Sequence, residues 1–114
     1  MQKVVAKDAD VGDRQTVKFR YRENGVEKEG FVIRYRGRLF AYRNECRHIP
    51  MTMDWVENRF LTRDRCHIQC ATHGARYEID SGLCIEGPPA GESLRRFAVE
   101  VRGEDVVVTL PEEA

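Results

Sequence analysis

The chain has 114 residues, of which 41% are hydrophobic, and this composition fits one globular domain with a modest core rather than a disordered segment. Nineteen basic and nineteen acidic residues cancel, so the total charge gives no drive towards nucleic acid or an anionic membrane. No apolar run approaches the roughly 20 residues of a membrane span. The segment 1–10 lacks the apolar stretch of a signal peptide, so we expect a cytoplasmic protein with neither nucleic acid nor a membrane as partner.

The first third of the chain has the two-residue period of β-strands. Residues 8–13 follow a mixed polar start and are predicted as a turn or a short helix. In residues 15–22 apolar and basic side chains alternate, which is typical of a half-buried strand. Asn24-Gly25 then predicts a tight hairpin turn, because both turn positions need positive φ. Further strands are predicted over residues 31–36 and 39–42.

The second half of the chain continues this pattern of short strands. Residues 65–69 are predicted as a strand, and two more strands flank the turn Asp80-Ser81-Gly82. Apolar and polar residues alternate again in 96–101, and a turn leads into an apolar strand over 106–110. We count seven to nine strands and no amphipathic helix, so the predicted fold class is all-β, a sandwich or barrel of antiparallel hairpins.

Two short clusters combine thiol and imidazole side chains. Cys46 and His48 are separated by one residue, Cys70 and His73 by two, and 21 residues lie between the clusters. Four cysteines are too few for a disulfide framework at this length, and in a reducing cytosol cysteine and histidine at such spacing indicate metal binding. Two thiolates and two neutral imidazoles suit either zinc or an iron–sulfur cluster in which two histidines replace two cysteines on one iron.

This arrangement resembles the Rieske family, whose signature is C-x-H, a spacer and C-x-x-H. The likeness continues through Gly74 to Tyr77, through Asp80-Ser81-Gly82, and into the run Gly87-Pro88-Pro89, where Rieske proteins carry a proline loop over the cluster. It covers roughly residues 38–110. The spacer between the two motifs is a few residues longer than is usual in the family.

The resemblance implies the fold, the cofactor and the site. We expect stacked antiparallel sheets of the Rieske type in a single domain over residues 1–114, with a cluster-binding part at one end, about residues 43–90. A [2Fe–2S] cluster would be held by thiolates on one iron and neutral imidazoles on the other. The expected ligands are Cys46, His48, Cys70 and His73, and the residues expected around them are Gly74, Ala75, Tyr77 and Pro88.

The resemblance also bears on the redox potential. High-potential Rieske proteins have a disulfide between the two loops and a serine hydroxyl that bonds a bridging sulfide. Here Met51 and Thr72 stand at the disulfide positions and Ala75 at the serine position, so both features are absent. Tyr77 stands where such proteins place a tyrosine near a ligand thiolate, and packing within a strand is the alternative role for it.

We therefore expect a one-electron carrier, similar to Rieske-type ferredoxins, whose partners are a reductase and a terminal oxygenase or similar redox proteins. We do not expect it to be an enzyme by itself, because no room remains for a mononuclear iron domain. One alternative is a structural Cys₂His₂ zinc module. Another is a small Rieske-type subunit of a nitrite reductase-like enzyme, although such subunits often lose the ligands that this chain keeps.

Several residues near the motifs keep two interpretations. Cys66, His67, Cys70 and His73 form a rival zinc set, but neighbours on a strand point to opposite faces, which disfavours it. We expect Cys66 and Cys84 to be small buried residues. Apolar residues within 49–60 either fill a core or form a docking rim, and Arg47 and Arg76 are candidates for positive charge beside the cluster.

Overall fold

The computed structural model describes residues 1–45, 60–70, 74–87 and 91–111. The prediction of an all-β fold is confirmed, because these ranges hold nine strands and one 3₁₀ helix (Asp8–Asp10). The strands are β1 Gln2–Lys7, β2 Thr16–Glu23, β3 Val26–Tyr35, β4 Arg38–Arg43, β5 His67–Gln69, β6 Arg76–Glu78, β7 Cys84–Glu86, β8 Arg96–Arg102 and β9 Asp105–Thr109.

The strands form two antiparallel sheets. The larger sheet has six strands in the order β1-β9-β8-β4-β3-β2, and the smaller has three in the order β5-β6-β7. The two edge strands of the larger sheet, β1 and β2, contact each other, and the Lys3 ammonium donates a hydrogen bond to the Arg20 carbonyl oxygen. The larger sheet is therefore rolled almost into a barrel.

The hairpin of β2 and β3 forms as its turn residues predict. Asn24 and Gly25 have φ angles of 52° and 75°, the left-handed conformation that a two-residue hairpin turn needs. Further along, Gly30 lies opposite Phe19 in the register, and a Cβ atom on Gly30 would lie 2.4 Å from the Phe19 ring. The glycine thus makes room for an aromatic ring that covers the neighbouring strand.

Strands β3 and β4 are buried on both faces, which the sequence pattern did not predict. Val32 and Ala41 face a core inside the rolled sheet, which we call the inner core, with Val11, Phe19, Tyr21, Val106, Val108 and Leu110. The opposite face contributes to an outer core, shared with the smaller sheet: Phe31, Ile33, Phe40, Tyr42, Phe60, Ile68, Cys70, Ala75, Tyr77, Ile79, Cys84 and Leu94. Burial of each large apolar side chain stabilises the fold by about 1.5–3 kcal/mol.

The N-terminal segment forms a strand, β1, that was not predicted from the pattern of side chains. Strand β1 pairs with β9, with Gln2 opposite Thr109, so its partner comes from the other end of the chain. The 3₁₀ helix Asp8–Asp10 agrees with the predicted turn or short helix. It is the only helix in the described ranges, and three residues are far too few to cross a bilayer.

Strand β5 begins at His67, two residues later than predicted. Arg65 has a φ of 57°, a left-handed conformation that is incompatible with a strand. Cys66 therefore lies on the turn before β5. Cys66 and His67 are not neighbours on one strand, so the prediction that a shared strand points them to opposite faces is wrong.

Candidate metal centre

Cys70 lies at the end of the hairpin formed by β5 and β6. In the register Ile68 is opposite Tyr77 and Gln69 opposite Arg76, and the Cys70 amide continues the ladder by donating to the Ala75 carbonyl oxygen at 2.9 Å. The predicted ligand is thus fixed by backbone hydrogen bonds at the point where the hairpin opens into its loop.

One face of the smaller sheet carries Cys70 together with two of the residues predicted around it. Side chains two apart on a strand share a face, so Ile68 and Cys70 lie on the same side as their cross-strand neighbours Ala75 and Tyr77. All four have no solvent exposure and belong to the outer core. Ala75 and Tyr77 therefore lie beside Cys70.

Gly74 closes the loop that follows Cys70. Its amide donates to the Cys70 carbonyl oxygen at 2.9 Å, and its φ is 68°, which favours glycine. A Cβ atom on Gly74 would meet only the Gln69 side chain, at 3.8 Å, among the described atoms. The backbone angle is thus the observed reason for this glycine. His73, within this loop, lies outside the described residues.

The segment that leads into the Gly-Pro-Pro run packs against the same loop. A Cβ atom on Gly87 would lie 2.9 Å from the Ala75 Cα atom, and Gly87 has a φ of 102°. Only glycine allows this approach of one backbone to the other. The chain therefore reaches the predicted proline loop directly against the Cys70 hairpin, and Pro88 itself lies outside the described residues.

The backbone that leads into the first motif is anchored to two neighbours. The Arg43 amide donates to the Arg95 carbonyl oxygen and the Asn44 amide to the Glu29 carbonyl oxygen, each at 2.9 Å. Asn44 is buried, and its side-chain amide donates to the Glu29 carboxylate at 3.4 Å. Cys46 and His48 lie outside the described residues.

Arg43 is a buried charge near the first motif that the sequence analysis missed. Its guanidinium group is 3.7 Å from the Glu23 carboxylate and 3.3 Å from the Glu45 carboxylate, and the residue is 6% exposed. A buried arginine needs such partners, because an unpaired buried charge is strongly destabilising. The burial of Arg43 could not be predicted from the sequence, because its partner Glu23 comes from another strand, β2.

The strand that leads to the first motif shares one core with Cys70. Tyr42, four residues before Cys46, and Cys70 both belong to the outer core. The Tyr42 hydroxyl donates to the Ile79 carbonyl oxygen at 2.6 Å and thereby joins the larger sheet to the smaller one. Burial raises the pKa of Tyr42, so this hydroxyl stays protonated.

The described surroundings of Cys70 fit a metal cluster. Cys70 is fully buried among apolar side chains, so it would be a thiolate there only with a bound cation to offset the loss of hydration. The rival zinc set fits less well, since no three metal-binding side chains converge within the described ranges, which include Cys66, His67 and Cys70.

The predictions for the other residues near the motifs are confirmed in part. Cys84 is buried as predicted, but Cys66 is partly exposed, so that prediction is wrong. Phe60 belongs to the outer core, whereas residues 49–59 and Arg47 lie outside the described ranges. Arg76 is exposed and 3.6 Å from the Glu86 carboxylate, so its positive charge is partly offset.

Comparison with known proteins identifies the fold. The family model of the Rieske [2Fe-2S] domain matches residues 1–109. The terminal oxygenase of carbazole 1,9a-dioxygenase from Novosphingobium sp. KA1 has a similar structure, with a TM-score of 0.77 and 18% identity over 99% of this chain and 30% of the oxygenase chain. No match was found among curated proteins.

Two further structures match over most of their own length. The ferredoxin of carbazole 1,9a-dioxygenase from Nocardioides aromaticivorans IC177 gives a TM-score of 0.68 and 20% identity over 95% of this chain and 96% of that chain. A chain from the complex of reduced oxygenase and oxidized ferredoxin in carbazole 1,9a-dioxygenase gives a TM-score of 0.72 and 22% identity. The match covers 94% of this chain and 91% of that chain. This chain thus spans less than a third of the oxygenase chain and nearly all of the ferredoxin.

Proposed function

The chain belongs to the family of Rieske [2Fe–2S] domains, and from this membership we propose that it is a ferredoxin-like one-electron transfer protein that serves an oxygenase or a related redox system. The observation that supports the proposal best is the buried position of Cys70 at the open end of the β5–β6 hairpin. The similarity to a ferredoxin over nearly its whole length supports a carrier role.

We propose that Cys46, His48, Cys70 and His73 hold the cluster. A [2Fe–2S] cluster bound in this way supplies a one-electron couple, and imidazole ligands raise its potential relative to four thiolates. The chain's own residues position it. Cys70 is fixed by the Ala75 carbonyl oxygen, and the outer core shields the thiolate from water.

We further propose that residues 1–114 form one domain whose cluster-binding part covers about residues 43–90. Tyr42 and Phe60, which flank the first motif and its spacer, lie in the same core as Cys70 and support this division. The proposed partners are a reductase that delivers the electron and a terminal oxygenase or similar protein that accepts it. A cytoplasmic location is part of the same proposal.

Metal analysis tests the proposal directly. We expect about two iron and two acid-labile sulfide per chain, because this ligand mixture matches a Rieske cluster. Iron and sulfide assays, with electron paramagnetic resonance of the reduced protein, provide the measurement. Stoichiometric zinc without a resonance signal would instead establish the structural zinc module.

The redox potential is expected in the lower half of the Rieske range of about −150 to +300 mV. Hydrogen bonds to the sulfur atoms favour the reduced form, and the Ala75 side chain, unlike a serine hydroxyl, cannot donate one. Ala75→Ser should therefore raise the midpoint potential and Tyr77→Phe should lower it, as measured by redox titration at neutral pH. If neither substitution shifts the potential, these side chains do not act on the cluster.

A further inference from the structure

A polar pocket lies beside the segment of residues 60–65, which precedes β5. It has a volume of about 510 Å³ and lies between the chain around Arg14 and the turn of residues 62–65. This turn is closed by the Arg65 amide, which donates to the Thr62 carbonyl oxygen at 2.9 Å, and it precedes β5. The arginines of the pocket lie on this turn and around Arg14, whereas Cys70 follows the opposite end of β5, although Phe60, whose carbonyl oxygen accepts from the Gln69 amide, also lines the pocket.

The charges around the pocket are mainly positive. Among the described residues that line it, Arg14, Arg63 and Arg65 are basic and Asp10 alone is acidic. Neither Arg63 nor Arg65 forms an ion pair with any residue that the structure describes. Three guanidinium groups against one carboxylate leave an excess of positive charge at this surface.

Two nearby carboxylates are already engaged. Asp64 accepts hydrogen bonds from the Thr62 hydroxyl at 2.5 Å and from the Cys66 amide at 3.0 Å, and these bonds lower its pKa. Asp13 accepts from the Arg36 amide at 3.2 Å and lies 3.7 Å from the Arg14 guanidinium group. Asp13 offsets part of the Arg14 charge, and Asp64 stays ionised, but neither carboxylate forms an ion pair with Arg63 or Arg65 among the described residues.

The arginines are held in place by backbone and ring contacts. Arg14 and Arg65 have φ angles of 56° and 57°, where glycine or asparagine is usual. The Arg14 guanidinium carbon is 5.4 Å from the centroid of the Tyr35 ring, and the Arg14 amide donates to the Arg34 carbonyl oxygen at 2.6 Å. The ring contact restricts the Arg14 guanidinium group, which therefore loses less freedom when it binds an oxyanion, whereas the φ angle of Arg65 fixes only its backbone.

We propose that this pocket binds a small molecule that carries at least two phosphate or carboxylate groups. Guanidinium groups match the geometry of both anions through paired hydrogen bonds. The volume is within the range of small-molecule sites and leaves room for more than one anionic group. The proposal does not depend on the electron-transfer function, because it concerns arginines outside the cluster loops.

Calorimetric titration of the cluster-loaded protein with pyrophosphate, and separately with citrate, tests the proposal. We expect saturable binding of at least one anion at a single site, weakened by added salt. Arg63→Gln and Arg65→Gln should each weaken binding by about tenfold, the effect of losing a charge-assisted hydrogen bond. Asp10→Asn should strengthen it, because this change removes the carboxylate in the lining. The two ligands distinguish phosphate from carboxylate recognition.

Arg102→Gln is the matched control, since it removes the same charge from an exposed arginine on β8 that pairs with Glu100. It should leave anion affinity unchanged, and all variants should keep the visible spectrum of the cluster. An equal effect of Arg102→Gln and Arg65→Gln would overturn the proposal by showing nonspecific attraction. The absence of saturable binding, or binding of polyglutamate without either small anion, would also overturn it.

Discussion

The Cys70→Ser protein is expected to purify with at least about tenfold less iron and sulfide than the unchanged protein. Cys70 is fully buried at the end of β5, where a serine hydroxyl cannot replace the thiolate as a soft ligand. Cys46→Ser, His48→Ala and His73→Ala should cause the same loss. Iron analysis and visible absorbance measure the effect.

Cys84→Ser is the matched control for this loss. Cys84 is also buried, and it lies opposite Tyr77 on the same sheet face as Cys70. Its thiol donates to the Glu86 carbonyl oxygen at 3.3 Å, and a serine hydroxyl can make the same hydrogen bond. We expect this variant to retain the cluster, as we do for Cys66→Ser. A folded Cys66→Ser protein without iron would show that the proposed ligand set is wrong.

Phe31→Ala is expected to lower the free energy of unfolding by about 3–5 kcal/mol and to release the cluster more readily. Phe31 is fully buried, and its ring stacks on that of Phe60 with centroids 4.1 Å apart. The Phe60 carbonyl oxygen accepts from the Gln69 amide at 2.7 Å, next to Cys70. Urea titration followed by circular dichroism and by cluster absorbance gives both quantities.

Phe19→Ala provides the comparison, because Phe19 is a buried phenylalanine in the inner core. It should cost a similar free energy but lose the cluster only when the whole domain unfolds. A loss of about 3–5 kcal/mol is a large part of the roughly 5–15 kcal/mol by which a typical domain is stable, and the alanine variants could unfold. Phe31→Leu and Phe19→Leu therefore serve as milder substitutions. Equal cluster loss at equal stability in both cores would contradict a specific link between Phe31 and the site.

The sequence alone was sufficient for the fold class and for the proposed ligand set. A hairpin can be predicted from the sequence because its two strands are neighbours in the chain. The alternation in residues 15–22 and the turn at Asn24-Gly25 together predict the β2–β3 hairpin. The spacing within each Cys-His motif is equally local, because ligands one or two residues apart must lie close together. The same motifs identified the family that the comparison then confirmed.

Other features depended on contacts between distant segments. Strand β1 exists because β9 provides hydrogen-bond partners, and β3 is buried on both faces because the smaller sheet covers one face of a rolled sheet. Arg43 is tolerated in the interior because Glu23 reaches it from another strand. The grouping of Arg14 with Arg65 likewise follows from tertiary packing. A one-dimensional pattern records the polarity of each residue, whereas burial, charge pairing and pocket formation depend on which segments meet in space.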